Sequence, residues 1–432
     1  MPSFARLTAW FVGLICCTQA YATEINPQGY GYPISNPFEA TIATTPPALR
    51  PALPDDSAIN QDDYALRMLP ERKDLQPAVL WPVQELRYRL AKQDGQAPLV
   101  FIIAGTGSLY SNSTMEFLKK LFYGAGMHVV QLSSPTSFDF ISAASQSATP
   151  GFSPEDAKDL YAVMKAVKAQ HPDLAVSEYL LTGYSLGGLE AAFVSHLDET
   201  EQAFNFKRVL LLNPPVNLLT SISNLDRLVQ TRIKGVDNST NFFDVIMAKL
   251  TRYFHDRGGV DINEAMLYDF QQSKERLSNE ELAMLIGTAF RFASADIVFT
   301  SDLINQRGLI TPPAASISTG TSLTPYFEMS LKCDFECYMT EQLVPMWRER
   351  YNGSTIEQLV QQASLYALEN YLRQSEKIAV MHNADDLILG PGDLGFLQRT
   401  LGPRLTIYPL GGHCGNLNYT VNSQDMLEFF RG

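Results

Sequence analysis

Between residues 98 and 215, short and almost uninterrupted apolar runs alternate with longer segments of helical spacing. This alternation constrains the fold more than any other feature of the chain. Pro98-Leu99-Val100-Phe101-Ile102-Ile103, His128-Val129-Val130-Gln131-Leu132, Glu178-Tyr179-Leu180-Leu181-Thr182 and Arg208-Val209-Leu210-Leu211-Leu212 each have the length of a strand. Strands that lack polar alternation are buried on both faces, as in parallel sheets covered by helices. Helical patterns lie between them: residues 114–123, residues 154–170 with Ser153 as N-cap and Pro154 at the first helical position, and residues 188–196, rich in small side chains. Strand and helix in this rhythm specify an α/β fold, a mostly parallel central sheet with flanking helices.

The rhythm lapses after residue 215. Helical patterns at 244–255, 279–292 and 356–373 replace strands, which return only at Lys377-Ile378-Ala379-Val380-Met381 and Leu405-Thr406-Ile407-Tyr408. The economical division is a core in two parts, 98–215 and 376–432, interrupted by a helical cap or lid insertion over 216–375. Residues 23–97 precede the core as an arm with the first elements. Runs such as Thr45-Pro46-Pro47-Ala48 favour extended chain and short edge strands over a packed domain, and residues 82–90 suit a helix or an early strand.

Residues 1–22 have the form of a cleavable signal peptide. Arg6 precedes an apolar run from Leu7 to Cys17, and Ala20-Tyr21-Ala22 offers small residues where a signal peptidase reads. The run is too short for a stable membrane helix, and no later stretch reads as long and apolar enough to span. Neither Cys16 nor Cys17 follows the small residue that lipid attachment needs, so the expected product is secreted or periplasmic and not lipid-anchored. The mature chain keeps Cys333, Cys337 and Cys414. An oxidising compartment can join the first two, four residues apart, or leave them free. Cys414 adjoins His413, but no second Cys/His pair lies near them, so no metal site is expected. A formal net charge of −13 leaves no basic surplus to meet phosphates, which argues against a nucleic-acid partner.

The chemistry-bearing motif is Gly183-Tyr184-Ser185-Leu186-Gly187. Gly-x-Ser-x-Gly alone is a modest signal, but here it follows an apolar strand and opens a helical pattern, the context that a nucleophile elbow requires. Gly183 and Gly187 are small where strand and helix backbones pass closely. A serine hydroxyl is a weak nucleophile at neutral pH and needs a base, which in turn needs an orienting acid. Of the histidines after the insertion, His382 ends an apolar strand and reads as structural. His413 sits in the loop Gly411-Gly412-His413-Cys414-Gly415 after the last strand and reads as the base. The acid comes from Asp385 or Asp386, between those two strands. Two backbone N–H groups must meet an oxyanion; Leu186, next after the serine, supplies one, and Thr106 in Ala104-Gly105-Thr106-Gly107 the other. That Gly-rich loop lacks the Lys and the glycine spacing of a nucleotide site. Phe138, Phe140 and Tyr184 are the candidate pocket residues, because they adjoin carboxyl ends of strands; aromatics of the insertion, as in Phe242-Phe243 and Phe290-Arg291-Phe292, suit an apolar pocket or simply hold its helices together.

Taken together, these motifs resemble the α/β-hydrolase superfamily over residues 98–215 and 377–431. The family's acid turn reads Gly-x-x-Asp; Asn383-Ala384-Asp385-Asp386 matches with Asn for Gly, which implies Asp386 as the acid and Asp385 as the alternative. The His-Gly-Gly-Gly loop of some lipases and esterases is absent. The resemblance implies a serine hydrolase without cofactor, acting through an acyl-enzyme on a small ester or acyl substrate. Peptidase, amidase and acyltransferase chemistry can run on the same three residues, and a catalytically inactive binding module is the alternative of another class.

Overall fold

Alternate residues of the strand Ala97–Ile103 face two different hydrophobic cores. Leu99, Phe101 and Ile103 pack into one and Val100, Ile102 and Ala104 into the other, none of them more than 3% exposed. Burial on both faces at strand period is what its apolar run demanded, and each large side chain so buried contributes about 1.5–3 kcal/mol. These elements belong to a computed structural model describing residues 22–72, 77–233, 239–257, 266–312, 317–353 and 355–432. The expected signal peptide, but for Ala22, lies outside the described residues.

The strands are β1 (Thr23–Glu24), β2 (Gln61–Leu66), β3 (Leu86–Ala91), β4 (Ala97–Ile103), β5 (His128–Leu132), β6 (Val176–Tyr184), β7 (Arg208–Leu212), β8 (Ile378–Asn383) and β9 (Leu405–Tyr408). They form one sheet in the order β1-β9-β8-β7-β6-β4-β5-β3-β2. β2 and β3 pair antiparallel with their neighbours; every other pairing is parallel. Helices Ser153–Gln170, Leu186–Glu201 and Asp393–Leu401 supply one core, while Ser113–Gly124 and Thr420–Arg431 supply the other. Register places Ile103 of β4 and Leu211 of β7 on either side of Gly183, so the strand leading to Ser185 lies mid-sheet.

Of the two readings of residues 82–90 the strand is found, as β3, after a 3-10 turn, Ala78–Val83. Other local expectations are corrected. Ser153 is not an N-cap but the first helical residue, and its hydroxyl donates to the buried Glu190. The pattern over 356–373 breaks into Ile356–Gln362, Leu365–Leu368 and Glu369–Gln374. The arm is also more than extended chain. Its helix Pro37–Ala43 and residues Tyr30, Tyr32 and Ile34 pack into the second core, against Tyr408 and Tyr419 of the C-terminal part. Proline there fixes short turns, and the aromatic side chains between them provide the burial.

Between β7 and β8 the described residues contain helices and no strand. The longest, Asn279–Asn305, begins at a capping box formed by Ser278 and Glu281. Contrary to expectation, it is long and apolar enough to cross a membrane by length and composition, with a mean hydropathy of 1.6 over its most apolar stretch. Half of that stretch is buried inside the protein. The Asp226 carboxylate binds Arg291 of this helix, tying it to the helix Leu218–Leu228. Cys333 and Cys337 are joined in a disulfide, and Cys414 is free.

Candidate active site

Ser185 sits between β6 and the helix Leu186–Glu201 with φ 54° and ψ −127°, a conformation that non-glycine residues rarely adopt. Close packing enforces it. A Cβ on Gly183 would stand 2.1 Å from the Gly187 carbonyl oxygen, and one on Gly187 would stand 2.1 Å from that of Ile103. Both glycines are therefore required where the turn folds back over the sheet. The hydroxyl projects at the carboxyl end of the parallel strands, where loops from β4, β8 and β9 also converge.

His413 and Asp386 meet Ser185 there. The Ser185 hydroxyl donates to His413 Nε2 at 2.8 Å, and His413 Nδ1 lies 3.0 and 3.1 Å from the two Asp386 carboxylate oxygens. With Nδ1–H given to the carboxylate, the Nε2 lone pair is left facing the serine. Asp386 is buried and also accepts from Asn213 Nδ2 at 2.9 Å and from the Ile388 N–H at 3.1 Å. Burial alone would raise its pKa. The neighbouring His413 charge and these hydrogen bonds outweigh burial and hold it below the usual carboxylate range.

Burial likewise pushes His413 down, yet the Asp386 carboxylate prevails and holds the imidazole well above its usual range. Only neutral imidazole can accept the serine proton. Activity is therefore expected to be lost as pH falls through the raised pKa, with the acid limb of kcat/KM above the value of about 6.5 for free histidine. In Asp386→Asn the attraction disappears and the limb should move to lower pH. A pH–rate profile that stays in place in this variant would contradict the pairing.

Asp385 does something else. Its carboxylate accepts from the Gly411 and Gly412 N–H groups at 3.2 and 2.9 Å, fixing the loop that carries His413. Burial raises its pKa above the usual carboxylate value. His382 lies behind Asp386, fully buried, with Nε2 bonded to the Pro214 carbonyl at 3.1 Å, and burial lowers its pKa. These are the surroundings of a neutral structural histidine.

The backbone N–H groups of Thr106 and Leu186 donate to no other group among the described residues. The Gly107 N–H, by contrast, bonds Thr136 Oγ1 at 2.8 Å and so fixes the Thr106 turn. Both Thr106 and Leu186 line a narrow cavity of ≈ 30 Å³ whose remaining wall includes Leu218, Ile222, Phe290, Ile297, Val298 and Phe335. None of the candidates Phe138, Phe140 and Tyr184 lines it. Phe140 is fully buried in the core, Phe138 faces outward at 37% exposure, and Tyr184 is buried with its hydroxyl bonded to Asn112. The reason is local: residues 138–143 form a helix, which turns the two phenylalanines to different sides.

Other residues that hold the site carried no sequence signal. Asn383, which stands where the acid turn of the resembling family has Gly, donates to the Gly412 carbonyl at 2.8 Å. It also exchanges two amide hydrogen bonds with buried Asn416. Thr41 of the N-terminal arm accepts from the His413 N–H at 2.9 Å. Only the tertiary fold joins residues so far apart in the chain. Among the described residues no group of three metal-ligating side chains is present.

The strand order, the strained serine turn and the sequence order Ser, Asp, His define the α/β-hydrolase fold. No family model and no curated protein sequence matches the chain. Solved structures to which it is similar include an esterase of Pyrococcus furiosus, at 12% identity over 90% of this chain and 97% of that one, TM-score 0.40. Another is the hyperthermophilic esterase of the archaeon Pyrobaculum calidifontis, at 14% identity over 88% and 82%, TM-score 0.40. An acylaminoacyl peptidase is similar at 12% identity over 87% of this chain and 41% of that one, TM-score 0.40. At such identity and score these similarities assign no residue and no substrate.

Proposed function

We propose that the protein is an exported serine hydrolase that cleaves carboxylic esters through an acyl-enzyme on Ser185. The observation that carries this reading is the continuous hydrogen-bond chain Ser185–His413–Asp386, next in sequence to Leu186, which with Thr106 has an unpaired N–H and lines an apolar cavity. Ser185 Oγ attacks the acyl carbonyl while His413 Nε2 takes its proton. The carbonyl oxygen becomes an oxyanion held by the Thr106 and Leu186 N–H groups. Collapse breaks the ester C–O bond, and His413 returns the proton to the departing alcohol. Water then repeats the sequence on the acyl-enzyme and frees Ser185. Asp386 keeps the imidazole in the required tautomer and stabilises its charged form. The helices between β7 and β8 act as the cap, shaping the acyl site and excluding water.

Export rests on the signal-like N-terminus and is supported by the Cys333–Cys337 disulfide, which suits an oxidising compartment. The substrate class is tested with p-nitrophenyl esters of rising acyl length set against aminoacyl p-nitroanilides. Turnover of the esters without turnover of the anilides is expected. Preferred cleavage of the anilides would replace ester hydrolysis with peptidase chemistry. No turnover and no labelling by a fluorophosphonate would leave only a binding module.

A further inference from the structure

We propose that the Cys333–Cys337 disulfide is a positioning element of the acyl site: it holds Phe335 and Tyr338 in place as one wall of the cavity. This rests on the ester-hydrolase reading above.

The disulfide joins Cys333, just before the helical turn Phe335–Tyr338, to Cys337 within it, and both aromatic residues of that turn line the cavity with Thr106 and Leu186. The helical chain continues from this turn to Tyr351, so the turn is a helix start, where the first N–H groups lack partners within the helix and the end frays most easily. The turn's other attachments are a local cap and two contacts that lead toward the same wall. Asp334 caps the turn by accepting from the Cys337 N–H at 3.0 Å. The Phe335 N–H donates to Asp226 at 3.2 Å, and Asp226 binds Arg291, next to the cavity residue Phe290. The Tyr338 hydroxyl donates to the carbonyl of Pro150, itself a cavity residue, at 2.7 Å. The disulfide is the covalent closure of this set of contacts.

The wall carries no charged side chain, so it fits an uncharged apolar acyl chain. A short acyl group, such as acetyl, reacts beside the Thr106 and Leu186 N–H groups without needing the wall. A longer one takes part of its binding from Phe335 and Tyr338. Loosening the turn should therefore penalise long acyl chains selectively, since each methylene lost from an apolar site costs about tenfold or more in discrimination.

The test compares p-nitrophenyl acetate and hexanoate in wild-type full-length protein and in Cys333→Ser/Cys337→Ser. The expected result is a KM for hexanoate raised about tenfold, with kcat and KM for acetate and the rate of fluorophosphonate labelling unchanged. Equal loss on both esters, or an unchanged hexanoate KM, would overturn the proposal, because a bond that merely stabilises the fold does not distinguish chain lengths. If the double variant fails to fold, Phe335→Ala decides the matter with the disulfide intact. A changed hexanoate-to-acetate ratio of kcat/KM supports the wall, and an unchanged ratio overturns it. If wild-type protein reacts with fluorophosphonate but hydrolyses neither ester, the ester reading fails first and the disulfide proposal with it.

Discussion

Ser185→Ala is expected to abolish labelling by a fluorophosphonate probe and to lower kcat for ester hydrolysis on the order of 10⁵- to 10⁶-fold. The size of the effect follows from the geometry. Ser185 Oγ is 2.8 Å from His413 Nε2, and the strained backbone at φ 54° holds it at the carboxyl ends of the strands. Alanine tolerates the same backbone no worse than serine does, so the fold and its thermal transition should be retained. Residual activity would then come from the Thr106 and Leu186 N–H groups and substrate binding alone. Labelling that persists in this variant would move the nucleophile elsewhere and end the proposed mechanism. His413→Ala should cost a similar factor, since the serine and its base act as one unit.

The second large effect separates adjacent aspartates. Asp386→Asn should lower kcat on the order of 10⁴-fold, because the amide can present its NH₂ to His413 Nδ1 and so reverse the tautomer that Ser185 needs. Asp385→Asn should behave differently. Its neighbours are the Gly411 and Gly412 N–H groups, not the imidazole. The amide oxygen of asparagine can still accept from one of them, so the loss is one charge-assisted hydrogen bond, about 1.5–3 kcal/mol of stability. Activity should drop by a small factor and the thermal transition should fall. A result in which Asp385→Asn is the more damaging to kcat would transfer the orienting role by one residue.

How legible the site was in the sequence depended on how local each signal is. The Ser185 elbow is visible because its glycines, its preceding strand and its following helix are contiguous in the chain. His413 is visible because a glycine-rich loop follows a strand. Asp385 and Asp386 are both short carboxylates in one turn, and their own spacing does not separate them; the resembling family's acid-turn pattern favours Asp386, the carboxylate that stands 3.0 Å from His413 Nδ1. The pocket was misread for a related reason. Proximity to a strand's carboxyl end placed Phe138, Phe140 and Tyr184 near the site, but the helix Phe138–Ala143 turns Phe140 into the core. Of the insertion aromatics, Phe290 does line the cavity, with Ile297 and Val298 of the same long helix and with Phe335. Helical spacing identifies that helix as amphipathic without saying which neighbour its apolar face meets.

The sequence by itself determined the parallel α/β core, the serine turn and the order of the reactive residues. Each of these is written in contiguous stretches, where burial on both faces forces apolar runs and close backbone contact forces glycine. The tertiary structure alone decided what holds His413 in place: Thr41 from the arm, Asn383 and Asn416 beneath the loop, and Asp385 across it. It alone also decided which insertion residues surround the cavity. Hydrogen bonds and packing between distant segments depend on three-dimensional register, and single polar or apolar residues leave no periodic trace of such partners along the chain.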